Sequence, residues 1–248
     1  MIKEMLINTR QYFRENKHTS IQTYFSDWTT WEKYWISIAT IAIAIASIMT
    51  WDPTNQTASW LSLVSSISGI WCVLLTAKKK ISNYIVGFVN VIAYAAAAYL
   101  WRLYGDFMLN AFYFLPMQFV GWYYWTKPSA KTDADEVQGL FLSLRARIYW
   151  GILSAVAVVA YGTFLKALDG NTPYLDSMST VFSIIAMILM AKRYMEQWIL
   201  WIVVDVVSTI MWANICFNEG GMMNLGLMIM WILWTINAVY GFLKWRKV

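Results

Sequence analysis

A succession of long apolar stretches, parted by turns of a few residues, leaves this 248-residue chain little choice of solvent. The stretches are 35–51, 58–77, 81–101, 107–125, 148–168, 178–190, 198–217 and 222–243. At roughly 20 residues per helical crossing they read as eight transmembrane helices, and the fold class expected is an all-α integral membrane protein. The turns carry the usual punctuation: Asp52-Pro53, Lys78-Lys79-Lys80, Tyr104-Gly105-Asp106, Asp169-Gly170-Asn171-Thr172-Pro173, Lys192-Arg193 and Glu219-Gly220-Gly221. The sixth stretch is short and is expected to begin earlier, near Tyr174. Composition agrees: 59% of residues are hydrophobic and 13% charged, against roughly half and a quarter in soluble domains. No length remains for a separate soluble catalytic domain. Cys72 and Cys216 sit inside apolar runs, which excludes a disulfide scaffold.

Residues 1–34 are polar, lack a cleavable signal pattern, and read as a cytoplasmic or interfacial arm. Trp28, Trp31, Tyr34 and Trp35 are expected to anchor it at the membrane boundary.

The cations test the spans. Of the 19 lysines and arginines, all but Arg102 and Lys166 fall on one side, in the arm, the even-numbered connections and the C-terminus. Short basic loops stay cytoplasmic, so both termini are expected inside. This sorting accounts for the pI of 9.1 without a nucleic-acid partner; the partner it implies is membrane lipid.

Two stretches read alike. Ala77-Lys78 matches Ala191-Lys192, Asn83-Tyr84 matches Gln197-Trp198, Asn90 matches Asp205, and Tyr104-Gly105 matches Glu219-Gly220. The shift is one residue larger at Asn90/Asp205 than at Lys78/Lys192, so one inserted residue is expected between them. The layout is then an arm (1–34), an extra helix (35–51), a first three-helix repeat (58–126), a cytoplasmic loop (127–147), a linker helix (148–168) and a second three-helix repeat (174–245). Both repeats start outside and finish inside. Parallel repeats of this kind mark transporters, with the substrate at the repeat interface near the midplane. Chance likeness between aromatic-rich helices is the competing reading. The linker is apolar all round, as a lipid-facing helix would be, and the stripe Ser62, Ser65, Ser66, Gly69 suits close helix packing.

Polar residues inside the spans are costly and so informative. Asp205 is the one acidic residue deep within a span, with no Lys or Arg at its depth. It is either a structural hydrogen-bonding hub or part of a substrate path. Helical spacing puts Asn83, Gly87, Asn90 and Tyr94 on one face; Asn110, Tyr113, Gln118, Trp122 and Trp125 recur every three or four residues in the fourth span. The seventh offers Trp198, Trp201, Asp205, Ser208 and Trp212, the eighth Trp234, Asn237 and Gly241. Aromatic faces stack on a flat ring and favour a cationic one by about 0.5–2 kcal/mol per contact. Asn, Gln and Asp bond sugar hydroxyls or an amide. Candidate substrate-binding residues are therefore Asn90, Tyr94, Tyr113, Gln118, Trp122, Asp205, Trp212, Trp234 and Asn237. Pro116 should kink the fourth span and free the carbonyl of Phe112, as a hinge or simply as shape.

Enzyme chemistry finds no footing. His18 is the single histidine and lies in the arm, so no intramembrane Ser–His pair or His-rich metal site forms. No nucleophile elbow or phosphate-cradling loop occurs. The expectation is no catalysis, no metal and no cofactor.

The motifs Asn83-x-x-x-Gly87-Phe88-Val89-Asn90-x-x-x-Tyr94, Gln118-x-x-Gly121-Trp122-x-x-Trp125, Gln197-Trp198-x-x-Trp201-x-x-x-Asp205 and Trp231-x-x-Trp234-x-x-Asn237, in this order, resemble the bacterial nicotinamide riboside transporter family, PnuC. The likeness runs from about Trp35 to Arg246. It implies a SWEET-like fold of 3+1+3 parallel repeats, a homotrimer in the bacterial inner membrane, and uptake of nicotinamide riboside by facilitated diffusion. The riboside would then be trapped by cytoplasmic phosphorylation. Related families carry thiamine, riboflavin or deoxynucleosides, so another vitamin or nucleoside stays open as substrate. A non-transporting membrane sensor is the alternative from a different class.

Overall fold

A computed structural model of the chain describes residues 2–49, 51–100, 104–167, 173–218 and 225–247; within these, the side chains of 104–106, 212, 215–218 and 225–229 are outside the description. The predicted turns at 169–172 and 219–221 and the cation Arg102 lie outside the described residues. The helices are α1 (Ile2–Glu15), α2 (Ile21–Tyr24), α3 (Thr30–Met49), α4 (Gln56–Ala77), α5 (Asn83–Leu100), α6 (Tyr104–Leu109), α7 (Leu115–Trp125), α8 (Leu144–Ala167), α9 (Pro173–Ala191), α10 (Gln197–Asn218) and α11 (Leu225–Trp245). Among the described residues five helices, α3, α4 with the turn before it, α5, α8 and α9, are long and apolar enough to cross a membrane. The sixth predicted span begins at Pro173, close to the expected Tyr174. The chain divides into two compact units, residues 1–138 and 139–248.

In the first unit α3 packs on α4, α4 on α5, and α5 on α7. Trp71 Nε1 on α4 reaches Thr40 Oγ1 on α3 at 3.2 Å. The small-residue stripe of α4 splits: Ser65 and Gly69 are buried, while Ser66 turns its hydroxyl back to the carbonyl of Ser62. Tyr84 lies across Gly121, where no β-carbon fits, and meets Trp125 edge-on at 5.2 Å. Between α6 and α7 the chain makes a π-helical turn, Asn110–Phe114, in which the Leu115 N–H reaches the Asn110 carbonyl. The expected disturbance at Pro116 thus takes the form of a widened turn just before the proline, a known way to absorb a residue that cannot donate.

The second unit has the same order of packing: α8 on α9, α9 on α10, α10 on α11. Trp198 lies across Gly241, where a β-carbon would stand 2.6 Å from its ring, and meets Trp245 at 6.1 Å. Thus Trp198, Gly241 and Trp245 repeat Tyr84, Gly121 and Trp125. Helix α8 buries only Ser154 and Gly162, leaving Ile148, Ile152, Val156 and Val159 exposed as a lipid-facing helix would. Ser177 Oγ donates to the Val158 carbonyl at 2.8 Å and fastens α9 to it.

The turns leading into α5 and α10 are alike in detail. Lys79 and Arg193 have φ of 60° and 66°; the N–H groups of Lys80 and Tyr194 reach back to the Leu75 and Leu189 carbonyls at 3.0 and 2.9 Å. This is the left-handed helix ending that satisfies the last free carbonyls. Each turn takes on a piece of the 127–147 loop. Ile81 N–H donates to the Asp135 carbonyl and Val137 N–H to that of Lys79 in the first. Leu140 N–H donates to the Arg193 carbonyl and Met195 N–H to that of Leu140 in the second. The loop is therefore built, with a short hairpin of β1 (Lys131–Asp133) and β2 (Glu136–Val137).

Two expectations need correction. The inserted residue before Asp205 does not exist: α5 and α10 run unbroken from matching turns. An extra residue would have widened the helix or turned its face by about 100°. In true register Asn90 corresponds to Val204 and Asp205 to Val91, and Val91, Val204 and Asp205 are all buried. The second correction concerns Trp28. It is buried beneath the Lys78 ammonium, 5.2 Å from its ring, and packs on Phe25 and Trp71, so it is core and not a boundary anchor. Trp31 and Tyr34 are exposed, as an anchor requires.

Candidate functional site

The first unit assembles its polar residues along α4, α5 and α7. Asn90 Nδ2 donates to the Ser65 carbonyl of α4 at 2.7 Å, where the small-residue stripe admits α5. One turn earlier Gly87 makes room for Gln118: a β-carbon there would stand 2.7 Å from Gln118 Oε1 and 3.2 Å from Cys72 Sγ. Gln118 is buried, and its Oε1 has no hydrogen-bond partner among the described residues. Asn90 and Gln118 thus share one inward strip. Tyr113 is half-buried within the π-helical turn and Tyr94 is exposed further along α5.

Trp122 stands elsewhere. Its Nε1 donates to Thr9 Oγ1 of α1 at 2.8 Å, and its ring meets Tyr12 edge-on at 5.1 Å. The ring is buried by the arm.

In the second unit Asp205 is buried on α10; its carbonyl accepts from Thr209 Oγ1, and its carboxylate makes no ion pair among the described residues. Ser208, one turn on, approaches Ser179 of α9 at 3.5 Å. Asn237 of α11 is fully buried, with both side-chain amide atoms lacking a described partner, and so is the Nε1 of Trp234. The side chain of Trp212 lies outside the described residues. Buried polar atoms are nearly always paired, so Gln118, Asn237 and Trp234 mark places where a ligand or water would be welcome.

Residues at the loop end were not among the candidate substrate-binding residues. Gln197 is fully buried, and both its amide atoms lack a partner among the described residues. Its counterpart Asn83 donates Nδ2 to the Lys80 carbonyl at 2.6 Å and leaves Oδ1 without a described partner. Their matched positions in the two motifs were the available signal. Asp135 accepts from Ser82 N, Ser82 Oγ and Tyr12 Oη, all within 2.8 Å. Burial nevertheless pushes its carboxyl above the usual aspartate range, and burial beside Asp135 likewise pushes the Tyr12 hydroxyl up. Lys78 pairs with Glu32 at 3.0 Å and Asp27 at 3.3 Å; Lys80 pairs with Asp27 and Glu136. Among the described residues no cluster of His, Cys, Asp and Glu has the arrangement of a metal site.

A family model described as "Nicotinamide mononucleotide transporter" matches residues 59–247. The nicotinamide riboside transporter PnuC of Neisseria mucosa is 36% identical over 227 residues, covering 90% of this chain and 84% of that protein. PnuC of Haemophilus influenzae is 30% identical, covering 92% and 94%. A crystal structure of the vitamin B3 transporter PnuC superposes with a TM-score of 0.72 at 35% identity, over 90% of this chain and 94% of that one. The riboflavin/roseoflavin transporter RibM of Streptomyces davaonensis is 26% identical over 62% of this chain. These relatives are transporters, and with its apolar helices this chain is a multi-pass membrane protein.

Proposed function

Since the chain belongs to the nicotinamide mononucleotide transporter family, we propose that it carries nicotinamide riboside into the bacterial cell by facilitated diffusion. The observation that carries the reading is the buried carboxamide in each unit, Gln118 and Asn237, with polar atoms that lack a partner among the described residues. Together with Asn90 they would bind the ribose and the amide. Tyr94, Tyr113, Trp212 and Trp234 would stack on the pyridinium ring or gate it, while Trp122 would hold the arm. The protein would work as a homotrimer of the inner membrane with both termini cytoplasmic. Phosphorylation inside would then trap it.

Charge favours the riboside over its phosphorylated form. A phosphate brings close to two negative charges and three strong acceptors. The buried lysines Lys78 and Lys80 are already paired at the loop end. The interior strips offer carboxamides, rings and the Asp205 carboxylate, which suit a cationic ring. Similarity to a riboflavin transporter supports flavin as a second reading.

Purified protein in liposomes should equilibrate labelled nicotinamide riboside without ATP or an ion gradient. The mononucleotide and riboflavin should compete far more weakly. Uptake of riboflavin but not riboside would replace the substrate; uptake of neither would end the reading. Asp205→Asn should weaken the cationic riboside more than its neutral reduced form.

A further inference from the structure

Helix α1 divides into four lanes at 100° per residue. Met5, Asn8, Thr9 and Tyr12 face the protein, with Asn8 and Tyr12 buried. This inward lane is largely polar and is spent on Trp122 and Asp135. The apolar residues are on the next lane: Ile2, Leu6 and Phe13 are 68%, 62% and 55% exposed. Beside it runs a basic lane of Lys3, Arg10 and Arg14, all exposed, and Lys17 continues it past the helix end. The acidic and amide residues Glu4, Gln11 and Glu15 lie on the fourth lane, where Glu4 meets Tyr123 and Glu15 meets Lys131. Ile7, also exposed, falls outside the apolar lane.

A soluble docking helix would bury its apolar lane against the protein; this one buries the polar lane. Helix α7, which holds it through Trp122, exposes the apolar Phe119 and Val120 in its middle. An apolar lane bordered by cations is the chemistry of a helix lying in a lipid interface.

We propose that α1 is an anionic-phospholipid binding helix, with Ile2, Leu6 and Phe13 in the acyl boundary and Lys3, Arg10 and Arg14 on the headgroup phosphates. Its other side, through Thr9 and Tyr12, ties that lipid contact to Trp122 and Asp135. The inference needs only a membrane protein and stands whichever substrate is carried.

The test uses the full chain in nanodiscs of phosphatidylcholine alone or with phosphatidylglycerol. A fluorophore is placed at Leu6→Cys or Gln11→Cys, each in a Cys72→Ala, Cys216→Ala background, and spin-labelled lipid is the quencher. Quenching at position 6 should exceed that at 11 several-fold with phosphatidylglycerol. It should fall in phosphatidylcholine and with Lys3→Gln, Arg10→Gln and Arg14→Gln together. Equal quenching at both positions, or at position 6 in both lipids, overturns the proposal. In the unaltered chain, hydrogen exchange over residues 2–15 should slow with phosphatidylglycerol; equal exchange in the two lipids overturns it as well.

Discussion

Lys79 and Arg193 adopt the same left-handed backbone conformation, each closing a helix and opening the next in its own unit. Neither is glycine, the residue for which this conformation costs nothing sterically. The position should therefore accept Gly and reject β-branched residues. Lys79→Gly and Arg193→Gly should stay within about 1 kcal/mol of the parent, whereas Lys79→Val and Arg193→Val should lose about 1–2 kcal/mol. Thermal unfolding in detergent measures the difference.

Glu32 does two tasks. It closes a capping box with Thr29, accepting from the Thr29 N–H at 2.7 Å while Thr29 Oγ1 accepts from the Glu32 N–H at 3.2 Å. It also pairs with the buried Lys78. Breaking a buried pair from one side leaves a charge uncompensated and costs about 3–5 kcal/mol. Glu32→Ala should approach that loss, softened by Asp27. Removing both charges with Glu32→Gln and Lys78→Met should cost less than Glu32→Ala alone. Thermal midpoints of the parent and the two variants check the order.

The buried Asp135 carboxyl sits above its ordinary value of 3.8, chiefly through desolvation. The folded state then holds the proton more tightly than the unfolded one. The stability this lends is full below 3.8 and is lost as pH rises through the raised value. Asp135→Asn should flatten the profile across that window. A melting series against pH shows it, and a slope equal to that of the parent would refute it.

Trp122 is held by the arm, so its bond to Thr9 should matter to docking and not to ligand. Thr9→Val should loosen α1, seen as faster hydrogen exchange over residues 2–15, and leave riboside affinity within about twofold. A tenfold loss of affinity, about 1.4 kcal/mol, would instead place Trp122 at the substrate.

Much of the architecture was legible because lipid imposes it. The apolar stretches located the helices, and the paired motifs located the matching turns at Lys79 and Arg193. The α3 start at Thr30, ahead of the expected Trp35, was written in Thr29-x-x-Glu32, a capping box hidden among aromatic residues. Helix register was harder. Two similar faces one residue apart made Asn90 resemble the partner of Asp205, and only the unbroken helices place Val91 there. Trp122 met the spacing rule for a binding strip but sits where the arm arrives, and contacts between residues 9 and 122 leave no local pattern. The burial of Gln118 and Asn237 was legible because a carboxamide inside an apolar stretch needs a reason to be there.

Riboside titration of the Gln118→Ala and Asn237→Ala variants, both verified as folded, tests the central claim most directly. Losing a hydrogen bond to a buried polar group costs about 1–3 kcal/mol, or roughly five- to 150-fold in Kd. Weakening of that order in both variants, one in each unit, is the predicted result. Parent-like affinity in both would contradict the account, because the two buried carboxamides would then bind no substrate.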